Sequence, residues 1–184
     1  MQTFNRRRLF TLLGAGALIA ATGGCATSRE GSATTIVLNV GKINAYLEAT
    51  LNSANTILTI LSQVPGMEKG VGLASEFIEQ LTIVSSEFNK VSEGKVTIEY
   101  NTESVRTITD SILALFMKLS TFIGSVIVTL IASPGLVPGS TLSRVQLINN
   151  ALKTVISVLK AILYQAFAQV DPANEVKALR TLNA

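Results

Sequence analysis

Apolar residues recur along this chain with two different periods, and the switches between them predict its elements. Residues 34–40 place Ile36, Leu38 and Val40 at alternate positions, the period of a half-buried strand. From Val40 the spacing changes to Ile43, Leu47, Thr50/Leu51, Ala54, Ile57/Leu58 and Leu61, one face of a helix. Asn39 is its predicted N-cap and Pro65-Gly66 its end. A second amphipathic helix follows, with Met67, Val71, Ala74, Phe77/Ile78, Leu81, Val84, Phe88 and Val91 on one side and Glu76, Glu79, Gln80, Glu87 and Lys90 on the other. Ser92-Glu93-Gly94-Lys95 breaks it, and Val96 to Tyr100 alternates as a second strand.

Asn101 or Thr102 then caps a third helix, whose stripe runs from Val105 through Ile112, Leu119 and Val126 to Leu130 and stops at Ser133-Pro134-Gly135. Between Ile112 and Ala132 its one charge is Lys118, so the stretch is long and apolar enough to cross a bilayer. Against spanning, Ser111, Lys118, Ser125 and Thr129 form a polar flank beside the apolar face, and no aromatic belt or cationic flank marks the ends. A buried bundle helix is therefore expected, with spanning and surface insertion as the alternatives. After the turn at Pro138-Gly139, Ser140 or Thr141 caps a fourth helix with a stripe from Leu142 to Val170, and Arg144, Asn149, Asn150, Lys153 and Lys160 on other faces. Asp171-Pro172 opens a short terminal helix reaching about Leu182.

The two strand-to-helix transitions look alike. Ile36-Val37-Leu38-Asn39 matches Ile98-Glu99-Tyr100-Asn101, and the same offset carries Ile43 onto Val105, Tyr46 onto Ile108 and Leu51 onto Leu113. The expected fold is mainly all-α: four long amphipathic helices in a bundle, built as a strand-helix-helix unit used twice, with the two strands paired as a small ribbon and a short C-terminal helix added. Four unrelated helices with two extended linkers are the alternative.

The first 25 residues have a different character. Asn5, Arg6, Arg7 and Arg8 precede the apolar run Leu9 to Ala21 and the small-residue exit Thr22-Gly23-Gly24-Cys25. This order resembles a bacterial export signal. The arginines followed by Leu9-Phe10 resemble the twin-arginine signal, though an ordinary secretory signal needs only a cationic start. Thr22 to Cys25 resembles the lipobox of bacterial lipoproteins, with threonine where leucine is usual. The resemblance makes Cys25 the lipidation candidate and Arg6, Arg7 and Arg8 the export signal, and it implies attachment to a membrane through acyl chains. Cleavage near Ala26 without lipidation, giving a soluble periplasmic or secreted protein, is the alternative. The expected organisation is a signal peptide at 1–25, a flexible tether at 26–33 and a single helical domain at 34–184.

Composition narrows the rest. About 160 residues follow the signal, enough for one core. The net charge of +3 belongs to Arg6, Arg7 and Arg8, because the chain from Ala26 onward carries twelve cations and twelve acids. No clustered cationic footprint for nucleic acid is present. Asymmetry persists between the halves: nine acids against five bases from Ala26 to Glu103, and seven bases against three acids thereafter. Cys25 is the sole cysteine, so no intramolecular disulfide forms, and histidine is absent. Glu76 and Glu79 fall on a solvated face, Ser157 and Lys160 share the spacing of a serine-lysine dyad without further support, and Asp110 and Asp171 read as caps or surface groups. No catalytic, cofactor or metal residues are assigned. The expectation is a non-enzymatic envelope protein, in the periplasm or on the outer membrane, held by its lipid anchor and meeting a protein partner through its surface. A membrane-inserting or hydrophobic-ligand-binding bundle is the second reading.

Overall fold

A computed structural model describes residues 26–30, 33–133, 135–164 and 171–184. The alternating stretches form strands and the 3-4-spaced stretches form helices, in the order β1 (Ala26–Glu30), β2 (Ala33–Asn39), α1 (Val40–Ser62), α2 (Glu68–Ser92), β3 (Thr97–Glu99), α3 (Glu103–Ala132), α4 (Gly139–Leu163) and α5 (Pro172–Leu182). The four long helices make an antiparallel bundle, and α5 lies in the seam between α1 and α4. A small antiparallel sheet, ordered β1-β2-β3, closes the end where α1 and α3 begin and α2 finishes. The all-α bundle with a short terminal helix is thus the architecture observed.

Local signals account for most boundaries. Asn39 accepts a hydrogen bond from the Lys42 amide at 2.9 Å and so caps α1. Gly66 follows Pro65 with φ +81°, a backbone conformation open to glycine, and it turns the chain into α2. Asp171 accepts from the Ala173 amide at 2.9 Å, with Pro172 in the first turn of α5. Thr102 occupies the N-cap position of α3. Two boundaries of α4 differ from expectation. It begins at Gly139 behind Pro138, ahead of the expected caps Ser140 and Thr141, and the helix ends at Leu163 where the Tyr164 amide closes the last turn on the Lys160 carbonyl. The rest of the stripe expected there, Ala166 to Val170, lies outside the described residues. The stretch 26–30, read as tether from its small polar residues, lies in β1 and pairs with β2.

The ribbon has the symmetry of the repeat. The offset that carries Ile36 onto Ile98 carries Val37 onto Glu99, and Val37 and Glu99 are also partners in the β2–β3 ladder. Leu38 pairs with Ile98, while Tyr100, the equivalent of Leu38, donates its amide to the Ile36 carbonyl at 2.9 Å. A local two-fold axis therefore passes through the Val37–Glu99 pair and exchanges the two strand-to-helix corners. Ile36, Leu38, Ile98 and Tyr100 all turn inward and are buried, which seats the sheet on the bundle core.

Tyr46, Phe88 and Phe116 are the bulkiest fully buried side chains, surrounded by Ile43, Leu47, Ile57, Leu81, Ile112, Leu119 and Ile123. Each contributes on the order of 1.5–3 kcal/mol by leaving water. The broad apolar face of α4 reflects three neighbours, α3, α5 and α1. Asn149, expected on a polar face, is buried for that reason.

Among the described residues one helix, α3, is long and apolar enough to cross a membrane. In the bundle its residues Ile112, Phe116, Leu119, Ile123, Val126 and Leu130 are buried.

Candidate functional site

Chemistry in a helical bundle needs polar groups brought together where water is limited, and three places among the described residues do that. The first lies where α5 meets the start of α1. Lys42 and Tyr46 are one turn apart on α1, and both reach Glu175 on α5: the ammonium at 2.9 Å from Oε1 and 3.0 Å from Oε2, the Tyr46 hydroxyl donating to Oε1 at 2.6 Å. Both charged side chains are mostly buried, at 18% and 15% exposure, which strengthens their attraction over that of a surface pair. At the other end of α5, Ser53 donates to the Leu182 carbonyl at 3.1 Å, Asn52 to Asn183 at 2.9 Å and Arg144 to the Ala184 carbonyl at 2.8 Å. These bonds fasten α5, whose buried apolar residues are Ala178 and Leu182.

The second cluster sits at the β3–α3 corner. The Tyr100 hydroxyl donates to Asp110 Oδ1 at 2.7 Å, and the Arg106 guanidinium stacks 5.6 Å from the centre of the Tyr100 ring. Burial raises the Tyr100 pKa above its usual value, and the bond to Asp110 raises it further, opposed by Arg106. Asp110 is half-buried and engaged as the acceptor of this bond, which its apparent isolation in sequence did not reveal.

The third is a polar pair inside the bundle, Ser120 on α3 donating to Asn149 Oδ1 on α4 at 2.9 Å. Gly124, one turn from Ser120, brings α3 close to the amide: a Cβ built there would stand 3.9 Å from Asn149 Nδ2. Elsewhere, buried hydroxyls turn to their own helix, as Thr109 does to the Val105 carbonyl and Ser92 to that of Phe88. Thr50 Oγ1 and Asn44 Oδ1 are buried without a hydrogen-bond partner.

None of these clusters has the parts of a catalytic set. The serine-lysine spacing does not produce a dyad, because the Ser157 hydroxyl donates to the Lys153 carbonyl at 2.9 Å and is exposed. Glu76 accepts from Gln80 at 2.8 Å on an exposed face, and Glu79 is exposed beside it. Asp171 serves as the cap of α5. Among the described residues no group of three or more His, Cys, Asp or Glu could hold a metal ion. An open groove of about 620 Å³ runs between α4 and α5, lined by Leu147, Lys153, Ser157, Asp171 and Lys177 among others, and its walls are largely solvent-facing. Cys25, Arg6, Arg7 and Arg8 lie outside the described residues.

Sequence spacing does not show these clusters, because two join residues on different helices far apart in the chain and the third bridges a strand-to-helix corner, where neither periodicity runs through. The Lys42-Tyr46 spacing and an asparagine, Asn149, directly beside the α4 stripe residue Ile148 are the signals the sequence offers. The chain matches no protein-family model, no curated protein and no solved structure.

Proposed function

We propose that this chain is an exported cell-envelope protein, held on a membrane by acyl chains on Cys25, in which the helical bundle plays a non-enzymatic structural or interaction role. The observation that carries the reading is the order Arg6-Arg7-Arg8, Leu9 to Ala21, Thr22-Gly23-Gly24-Cys25 at the start of the chain. The bundle supports it in two ways. Its polar clusters are engaged in fastening α5 to α1, β3 to α3 and α3 to α4, so their bonding capacity is used internally. The groove between α4 and α5 is shallow, and its Ser157 hydroxyl is bonded to the Lys153 carbonyl with no base beside it. A domain of this kind presents surfaces, and its partner is another envelope component.

Intact mass of the protein recovered from cells tests the reading. A chain beginning at Cys25 and heavier by a diacylglyceryl group and an amide-linked acyl chain is expected. An unmodified terminus near Ala26 would overturn lipidation and leave export standing, whereas an unprocessed chain in the cytoplasm would overturn both. Carbonate extraction adds a second readout: Cys25→Ser should release the domain into the soluble fraction.

A further inference from the structure

The outward surface of α3 departs from the rule that a solvated helix face carries charge. From Ala114 onward it presents Met117, Thr121, Ser125, Val128 and Ile131, with Met117 at 42% exposure, Val128 at 67% and Ile131 at 55%. Leu136, at 40%, extends the surface into the hairpin. Residues 119–143 contain no charged side chain. The hydroxyls on this surface are turned back on α3: Thr121 to the Met117 carbonyl at 3.0 Å, Ser125 to Phe122 at 2.7 Å and Thr129 to Ser125 at 3.0 Å. Such bonds satisfy the donors without water. The outward face of α2 is mixed, with Glu76, Glu79, Glu87 and Lys90 exposed beside Leu73 at 47% and Ile83 at 52%.

Charge is distributed unevenly along the same surface. Over α3 and α4 the bases are Arg106, Lys118, Arg144, Lys153 and Lys160 against two acids, Glu103 at the start of α3 and Asp110, which is held by Tyr100. The Ser120–Asn149 bond fixes where α3 and α4 cross. Because the two helices run antiparallel, Arg106 and Lys118 on α3 and Lys153 and Lys160 on α4 extend from near that crossing toward the sheet. Val128, Ile131 and Leu136 extend the other way.

We propose that this α3–α4 face is a second membrane contact, lying along the surface of an anionic lipid bilayer with its cations on the headgroups and its apolar half at the acyl boundary. A second copy of the chain fits less well, since pairing this face with itself sets cations against cations or against the apolar half. Spanning is also disfavoured, because the opposite side of α3 is built into the core through Ile112, Phe116, Leu119 and Ile123. The proposal rests on the envelope reading for the membrane that the face meets. Cys25 directly precedes Ala26, the first residue of β1, so an anchor there joins the described chain at the sheet end of the bundle. A helix of 30 residues, about 45 Å long, could then lie along the bilayer.

Cys25 is the sole cysteine, so the full chain carrying Cys25→Ser accepts a single reporter thiol and no acyl chain. An environment-sensitive fluorophore is placed at Ile131→Cys, at Val128→Cys, or at Glu79→Cys on α2. Each protein is floated with phosphatidylcholine vesicles containing one-third phosphatidylglycerol and lipids brominated near the headgroup. Quenching at 131 and 128 with none at 79 is expected. Lys118→Gln/Lys153→Gln should reduce the docked population by about fivefold per cation where docking is partial. Equal quenching at 131 and 79 overturns the proposal, as does flotation without quenching at 131 or a failure to float. A concentration-dependent dimer in light scattering, with the probe at 131 shielded in the absence of lipid, overturns it in favour of a second copy. Lipidation of Cys25 is read separately by mass, so the two readings fail independently.

Discussion

Replacing Ser120 by alanine should destabilise the bundle more than replacing its partner Asn149 by leucine, and the double replacement should cost less than Ser120→Ala alone. Ser120 is 8% exposed and Asn149 4%, and the serine donates to Asn149 Oδ1 at 2.9 Å. Ser120→Ala removes the donor and leaves the amide oxygen buried among apolar side chains. An unsatisfied buried acceptor costs about 1–3 kcal/mol. Asn149→Leu leaves a serine with an alternative, since its hydroxyl can turn to its own helix as those of Thr109 and Thr121 do. That loss should be about 1 kcal/mol or less, the net worth of one neutral hydrogen bond. Leucine branches at the same carbon as asparagine, and Gly124 presents no side chain opposite it. The double variant, with both partners apolar, should therefore come within about 1 kcal/mol of the parent or exceed it.

Urea unfolding of all four proteins, followed by circular dichroism and fitted with a common m-value, gives the cycle. Its coupling term should be about 1–2 kcal/mol, against a total stability on the order of 5–15 kcal/mol. Additivity within about 0.5 kcal/mol would show that the two side chains act independently, and the account of the pair as a unit would be wrong.

Four further variants test other parts of the same structure. Gly72 lies within α2 with nothing within 4 Å of a Cβ built there, so Gly72→Ala should raise stability by about 1 kcal/mol in urea unfolding; Gly66→Ala, at φ +81°, should lower it by about 1–2 kcal/mol. Tyr100, with its raised pKa, favours its protonated form in the fold, so its contribution is fully present below the ordinary tyrosine pKa of about 10 and is lost as pH rises through the raised value. Tyr100→Phe should be less stable at neutral pH, for want of the Asp110 bond, and should show a shallower decline above about pH 10 in thermal melts. Glu175→Gln removes the charge that both Lys42 and Tyr46 engage, at an expected cost of about 1.5–3 kcal/mol to the docking of α5. Amide exchange should accelerate at least about tenfold in α5 while α2 and α3 stay protected.

How much of this was legible beforehand depended on how local each determinant is. The 3-4 spacing of α1, α2 and α3, the Asn39 and Asp171 caps and the glycine turns are set by residues within a few positions of one another, and the elements appear where those residues put them. The pairing of β2 with β3 was legible because Ile36-Val37-Leu38-Asn39 and Ile98-Glu99-Tyr100-Asn101 repeat one pattern. β1 was not, since Ala26 to Glu30 has neither alternation nor β-branched weight and its pairing depends on β2 being already in place. Asn149 was misplaced because a stripe is read against one partner, whereas α4 has three. The candidate export residues Arg6, Arg7, Arg8 and Cys25 carry their signal in residue order alone, outside the described residues.

The duplicated corner makes one departure from symmetry informative. Under the repeat, the α1–α4 seam corresponds to the α3–α2 seam. The second is closed directly, with Phe77 and Phe122 rings 5.6 Å apart, while the first is filled by α5. The residues that receive α5 explain the difference. Lys42 and Tyr46, which hold Glu175, correspond to Ser104 and Ile108 on α3, where the serine brings no charge and a shorter reach and the isoleucine no donor. The α5 helix thus has one home in the bundle, chosen by charge and a hydroxyl, since each seam offers apolar packing. The same asymmetry shapes the outer surface. With α5 committed to the α1–α4 seam, no element of the described chain covers the outward side of α3, and from Leu119 onward that side carries no charge. An uncovered, uncharged face next to Lys118 and Lys153 is then a consequence of where α5 binds, and it leaves an apolar surface for something outside the bundle to meet.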